Sequence, residues 1–138
     1  MKKLLYAYLV LAISILFVTS LNAAVINQDK KDATVKSLAQ GISSENYGLK
    51  TSAALQLGRL IDINYITQDD ANKALIPLLS MLQNGNTEEE RISAALALFK
   101  IGNGIGIYQL KGASRFDDSP RVRKICLNLY SVYHYNND

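Results

Sequence analysis

Apolar residues recur along this chain at helical spacing, and no stretch alternates apolar with polar for long enough to read as a strand. The densest pattern runs from Thr87 to Gly102, TEEERISAALALFKIG, where Ile92, Ala94, Ala95, Leu96, Ala97, Leu98, Phe99 and Ile101 leave almost no polar face. A helix so apolar is expected to have neighbours on most sides. Both flanks carry edited copies of it. Ser52 to Leu57 matches Ser93 to Leu98 at an offset of 41 through a shared Ser-Ala-Ala-Leu-x-Leu core. A weaker copy, Ser119 to His134, lies at an offset of 32 and sets Arg123, Cys126 and Tyr130 on Arg91, Ala94 and Leu98. Repetition at this period predicts helical units that bury their apolar faces against one another.

The remaining helices follow from period and end signals. Val35, Leu38, Ala39 and Ile42 form an i, i+3, i+4, i+7 stripe closed by Gly41 and Ser43-Ser44. Asn46 is a favourable N-cap for a second helix with Leu49, Ala53, Leu57 and Leu60 on one face. The difference between the two offsets marks nine extra residues around Ile61 to Asp70, whose apolar members either tuck back onto the helices or form a contact loop. Thr67-Gln68-Asp69-Asp70 resembles a capping box with Asp in place of Glu and opens a helix through Ala71, Ala74, Leu75, Leu78, Leu79 and Leu82. Pro77 inside that pattern should bend it. Gln83-Asn84-Gly85-Asn86 supplies the stop, and Thr87-Glu88-Glu89-Glu90 reads as a full capping box for the central helix. Gly102-Asn103-Gly104-Ile105-Gly106 lacks both the spacing and the preceding strand of a dinucleotide loop, so it is a C-cap and connector. Ile105, Tyr108, Gly112 and Phe116 mark a fifth helix, whose glycines imply close approach to a neighbour. The last opens with Ser119 as N-cap and Pro120 at its first position, and lines up Val122, Ile125, Cys126, Leu129, Val132 and Tyr133.

Charge and composition alter this picture mainly at the N-terminus. Met1-Lys2-Lys3, the uncharged run Leu4 to Val18 and the small residues Ala23-Ala24 have the layout of a secretory signal peptide over 1–23, ahead of a polar segment at 24–31. An uncleaved run of this length would instead anchor the chain in a bilayer. Without Lys2 and Lys3 the chain keeps 13 basic against 12 acidic side chains, so no general charge attraction to nucleic acid is expected. The one cysteine, Cys126, excludes an intramolecular disulfide and aligns with Ala53 and Ala94 as a small core residue. A chain of this size can bury enough surface without metal or disulfide. The expected fold is all-α.

Several local features carry a family resemblance. They are Pro77-Leu78 in a first helix, the pairs Leu49-Lys50, Glu90-Arg91 and Val122-Arg123 opening second helices, and the small pairs Ala53-Ala54 and Ala94-Ala95. In these the chain resembles HEAT repeats, particularly the short bacterial HEAT-like repeats grouped with phycobiliprotein lyases. The resemblance implies a short α-solenoid of about three helix pairs over 32–135, with repeats at about 32–62, 67–102 and 104–135. It also implies an acid-to-base ladder through the turns. Glu45 and Lys50, Asn86 and Arg91, and Asp118 and Arg123 are each five apart, although only the last pair keeps both consensus residues.

Candidate chemistry is sparse. The single histidine, His134, cannot assemble a metal cluster or an acid-base pair, and the adjacent aspartates at 69–70 and 117–118 read as helix starts. No enzyme and no cofactor is expected. By the resemblance the second helices line an inner face, where Arg59 and Lys100, 41 apart, should stand side by side with Lys50, Arg91 and Arg123 as a basic column for an acidic protein segment. The plainer alternative makes the ladder residues structural and leaves Arg59 and Lys100 as solvated ends. Tyr130, Tyr133 and Tyr135 either cap the stack or form a homodimer contact. The function implied is an exported, periplasmic, non-catalytic protein-binding scaffold. Two rivals stand beside it: a lyase-like accessory factor acting on a cofactor or chromophore, and a membrane-tethered adaptor with an uncleaved N-terminal helix.

Overall fold

The computed structural model describes residues 25–137, so the signal-like segment over 1–23 lies outside the described residues. The chain divides into two compact units, 1–33 and 34–138. Residues 25–33 of the first are helical. In the second, α1 covers residues 34–42 and is followed by α2 (Tyr47–Asp62), α3 (Gln68–Ala71), a 3₁₀ turn (Asn72–Ala74), α4 (Leu75–Asn84), α5 (Glu88–Ile101), α6 (Gly104–Phe116) and α7 (Pro120–Asn137). No strand occurs among the described residues, so the chain is all-α.

Side-chain caps open α2, α3, α5, α6 and α7, whereas α4 starts without one. Asn46 Oδ1 accepts from Leu49 N at 3.0 Å, and Ser119 Oγ accepts from Val122 N at 3.2 Å. Thr67 and Asp70 form a complete capping box, each side chain holding the other's main-chain N–H at 3.0–3.1 Å. The box expected at Thr87 is only half built. Thr87 Oγ1 accepts from Glu90 N at 3.2 Å, but Glu90 Oε2 reaches one residue past the cap, to Asn86 N at 2.7 Å. From there it also faces Lys50 Nζ at 3.9 Å. Pro77 acts as its covalent structure requires: lacking an N–H for the Lys73 carbonyl, it follows a segment that tightens into the 3₁₀ turn Asn72–Ala74.

Helix α5 packs against α2, α4, α6 and α7, while α6 packs along α7 and touches α4. Leu57, Leu78, Leu98, Leu110 and Val122 are fully buried in the continuous apolar interior. Burying a leucine of this kind contributes roughly 2 kcal/mol. Gly106 lets α6 approach α5, since a Cβ there would stand 3.2 Å from Leu98 Cδ2.

Several facings differ from expectation. Helix α6 buries Gly106, Ile107 and Leu110, whereas Tyr108 is 69% exposed and Phe116 82%, and Ile105 is exposed as well. Both stripes have helical period, and contact with Leu98 and Leu75 selects the one whose small residue permits approach. Gly112 makes no close approach, a Cβ there meeting only Gln109 Oε1 at 3.9 Å. The inserted segment divides: Ile66 is buried, but Ile63 and Tyr65 are exposed because Asn64, at φ 56°, turns the chain away. Val132 is also exposed.

Equivalent positions in α2, α5 and α7 change their burial in order. Leu49 is 52% exposed where Glu90 and Val122 are buried, and Leu127 is 52% exposed where Ala54 and Ala95 are buried. The first position opens at α2, the second at α7.

Candidate functional site

Two of the three helix-start basic residues, Lys50 and Arg91, reach an acid on a later helix or turn, and Arg123 stays within its own turn. Arg91, at the start of α5, donates Nη1 to the Gly85 carbonyl at 2.8 Å. Its other edge grips the Asp117 carboxylate ahead of α7, Nε to Oδ2 at 2.9 Å and Nη2 to Oδ1 at 3.2 Å. Gly85 has no side chain because this arginine crosses it: a Cβ would meet Met81 O at 2.6 Å and Arg91 Cγ at 3.0 Å. Arg123 repeats the first half of the arrangement, donating Nη1 to the Asp117 carbonyl and to the Asp118 carbonyl, the latter at 3.2 Å. Lys50 has the looser Glu90 contact.

The base of each five-residue pair thus makes its polar contacts with groups other than the side chain of its paired residue. Asp118 contributes its carbonyl, Asn86 its main-chain N–H, and Glu45 makes no hydrogen bond or ion pair among the described residues. Asp117 and Glu90, which carry the charge, went unrecognised from sequence. The offset of 32 between Gly85 and Asp117 was the available signal, because it puts an acid in one turn where the other has none.

Arg59 and Lys100 line one groove of about 200 Å³ between α2 and α5, together with Ala54, Leu55, Leu96 and Ala97. Lys100 Nζ is held by Asp62 Oδ1 at 2.8 Å, an exposed pair that contributes at most about 1 kcal/mol. Arg59 has neither hydrogen bond nor ion pair among the described residues. Lys50, Arg91, Lys100 and Arg123 each have a partner, so Arg59 alone of the five candidate basic residues keeps its full donor capacity. Gly58 narrows the groove, since a Cβ on it would sit 3.5 Å from Lys100 Cγ.

A second cleft, of about 320 Å³, lies over the C-terminal end of α5 and is lined by Asp62, Gln68, Phe99, Lys100 and Tyr133 among others. Its polar atoms serve the helix end. Gln68 Nε2 donates to the Lys100 carbonyl at 3.2 Å, Tyr133 Oη donates to the Gly102 carbonyl at 3.1 Å, and Gly102 itself takes the left-handed conformation at φ 67°. Tyr130 lies under Lys111 Nζ, 5.6 Å from the ring centroid, and meets the His134 ring at 4.5 Å with the planes tilted by 59°, while Tyr135 projects into solvent.

Cys126 is fully buried, and that burial, with a smaller contribution from the Asp117 charge, pushes its thiol up to about 12. It is a protonated core residue without nucleophilic character. No group of three or more His, Cys, Asp or Glu among the described residues is placed to hold a metal ion. No helix among them is long and apolar enough to cross a membrane. Comparison with family models, with curated proteins and with solved structures gave no match.

Proposed function

We propose that this protein is an exported, non-catalytic scaffold that binds another protein, built as a short α-solenoid of HEAT-like pairs: α1 with α2, α4 with α5, and α6 with α7. In favour of the arrangement are the contacts of α5 with both α2 and α7 and the reuse of equivalent positions at the two junctions. Export rests on the signal-like layout of residues 1–23.

The observation that carries the binding role is the α2–α5 groove, where small Ala54, Gly58 and Ala97 lie beneath an exposed Leu55 and an unpaired Arg59 stands at the rim. At about 200 Å³ it is smaller than the roughly 300–1,000 Å³ of sites that enclose small ligands. It fits one or two side chains of a partner, an apolar one on Leu55 and Leu96 and an acidic one on Arg59. Affinity capture from a periplasmic fraction tests this, comparing the native chain with Leu55→Asp and Arg59→Glu. A partner retained by the native chain and lost from both variants is expected; an identical set captured by all three removes the groove from the proposal. Mass spectrometry of the mature protein is expected to give Ala24 as the first residue, and retention of the apolar run would replace export with tethering.

A further inference from the structure

We infer that the outer side of α7 is a second docking surface, one that receives a partner helix whose leading turn presents a carboxylate. The inference rests on the paired-helix reading above, because it carries the contacts of the internal junctions over to the equivalent positions of α7.

At each internal junction one helix face does the joining. In α2 it carries Lys50 and Ala54, and in α5 it carries Arg91 and Ala95, in both cases four residues apart and so on one side. The alanines are completely buried, and the basic groups reach the acids Glu90 and Asp117 of the next pair. The same positions in α7 are Arg123 and Leu127. Leu127 stands half in solvent. Arg123 is already oriented as Arg91 is, with Nη1 on the carbonyl six residues back in its own turn. The Nε and Nη2 edge that Arg91 uses to clasp Asp117 has no partner in Arg123 among the described residues. A guanidinium fixed by one nitrogen and open along its other edge is preorganised for a carboxylate.

The geometry also defines what would fit. Asp117 lies two residues before the α7 N-cap and accepts from Ser119 N at 2.9 Å while it binds Arg91, so the acid is locked by its own turn. The partner is therefore a helix opened by an Asp-x-Ser or Asp-x-Thr turn, followed by apolar residues that cover Leu127. A second copy of this chain stacking head to tail lacks that acid. Ser44 occupies the equivalent position, its hydroxyl accepting from Asn46 N at 3.1 Å, and Glu45 lines the cleft beside Lys50 and the end of α4. Charge complementarity favours a different protein over self-stacking.

The test appends a second copy of residues 103–138 after Asp138 of the full chain, so that its Asp117 equivalent is offered to Arg123 at high effective concentration. Amide exchange in the original α7, from Lys124 to Ser131, is expected to slow at least tenfold, and Asp117→Asn in the appended copy alone should remove that gain. Unchanged exchange in the original α7, whether or not the added helices form, would overturn the proposal. So would concentration-dependent self-association of the native chain that Leu127→Glu abolishes, since a second copy would then own the face. Asp117→Asn in the native chain separates this outcome from failure of the parent reading. Faster α7 exchange there with no effect of the appended copy sinks only the docking surface, whereas no change in either sinks the paired-helix stack as well.

Discussion

At the α5–α7 junction a guanidinium meets a carboxylate along two parallel bonds, whereas at α2–α5 a single ammonium stands 3.9 Å from its acid. The two junctions occupy equivalent positions and solve the same problem, namely how to fix one helix on another once the apolar faces have met. Arg91 can serve its own turn and the next one together because its donors point two ways. Lys50 ends in a compact ammonium without the planar fork that spans two sites, so its junction relies on the close approach that Gly58 allows, where a Cβ would stand 3.5 Å from Lys100 Cγ and 4.0 Å from Ala97 Cα. Oriented polar contacts carry one junction and close packing carries the other.

The sharpest way to break that comparison is Arg91→Ala, which leaves the Asp117 carboxylate almost enclosed and without its cation. A loss of about 3 kcal/mol in urea unfolding is expected. Arg91→Lys should recover about half of it, since charge returns without the fork. Gly85→Ala comes next, at about 2 kcal/mol, because the added methyl collides with Met81 O and displaces the arginine. Lys50→Met should cost about 1 to 2 kcal/mol, less than Arg91→Ala because the contact is loose and the buried Glu90 keeps its bond from Asn86 N, and a loss matching that of Arg91→Ala would erase the distinction between the junctions.

Near neutral pH the smallest effect is that of Cys126, which shows itself only as a pH dependence in the alkaline range. Its raised folded value means that the stabilising contribution is complete below the unfolded thiol's value near 9 and drains away as pH climbs toward 12. Over that interval native stability should fall relative to Cys126→Ala, by up to about 1.4 kcal/mol per pH unit. Parallel curves for the two proteins would show that the thiol is not sequestered.

Local chemistry was readable in the sequence where it is decided locally. Asn46, Thr67 and Ser119 cap the helices they were expected to cap, and Pro77 disturbs its helix as its ring dictates. What depends on a neighbour was less legible. Ile105, Tyr108 and Phe116 are together bulkier than Gly106, Ile107 and Leu110, yet α6 turns the smaller set inward, where a Cβ on Gly106 would stand 3.2 Å from Leu98 Cδ2. Leu49 belongs to an apolar stripe yet is 52% exposed among the described residues. The ionic partners lie 40 residues apart for Lys50 and Glu90 and 26 for Arg91 and Asp117, separations that no single helix pattern encodes.

Residue-resolved native-state amide exchange tests the central claim, that α5 is covered on both sides by like-built neighbours, most directly. Amides from Ala94 to Phe99 should exchange only through global unfolding and be the slowest in the chain, with those of α7 beyond Leu127 opening at lower free energy. Exchange around Phe99 as fast as at the end of α7 would contradict the account.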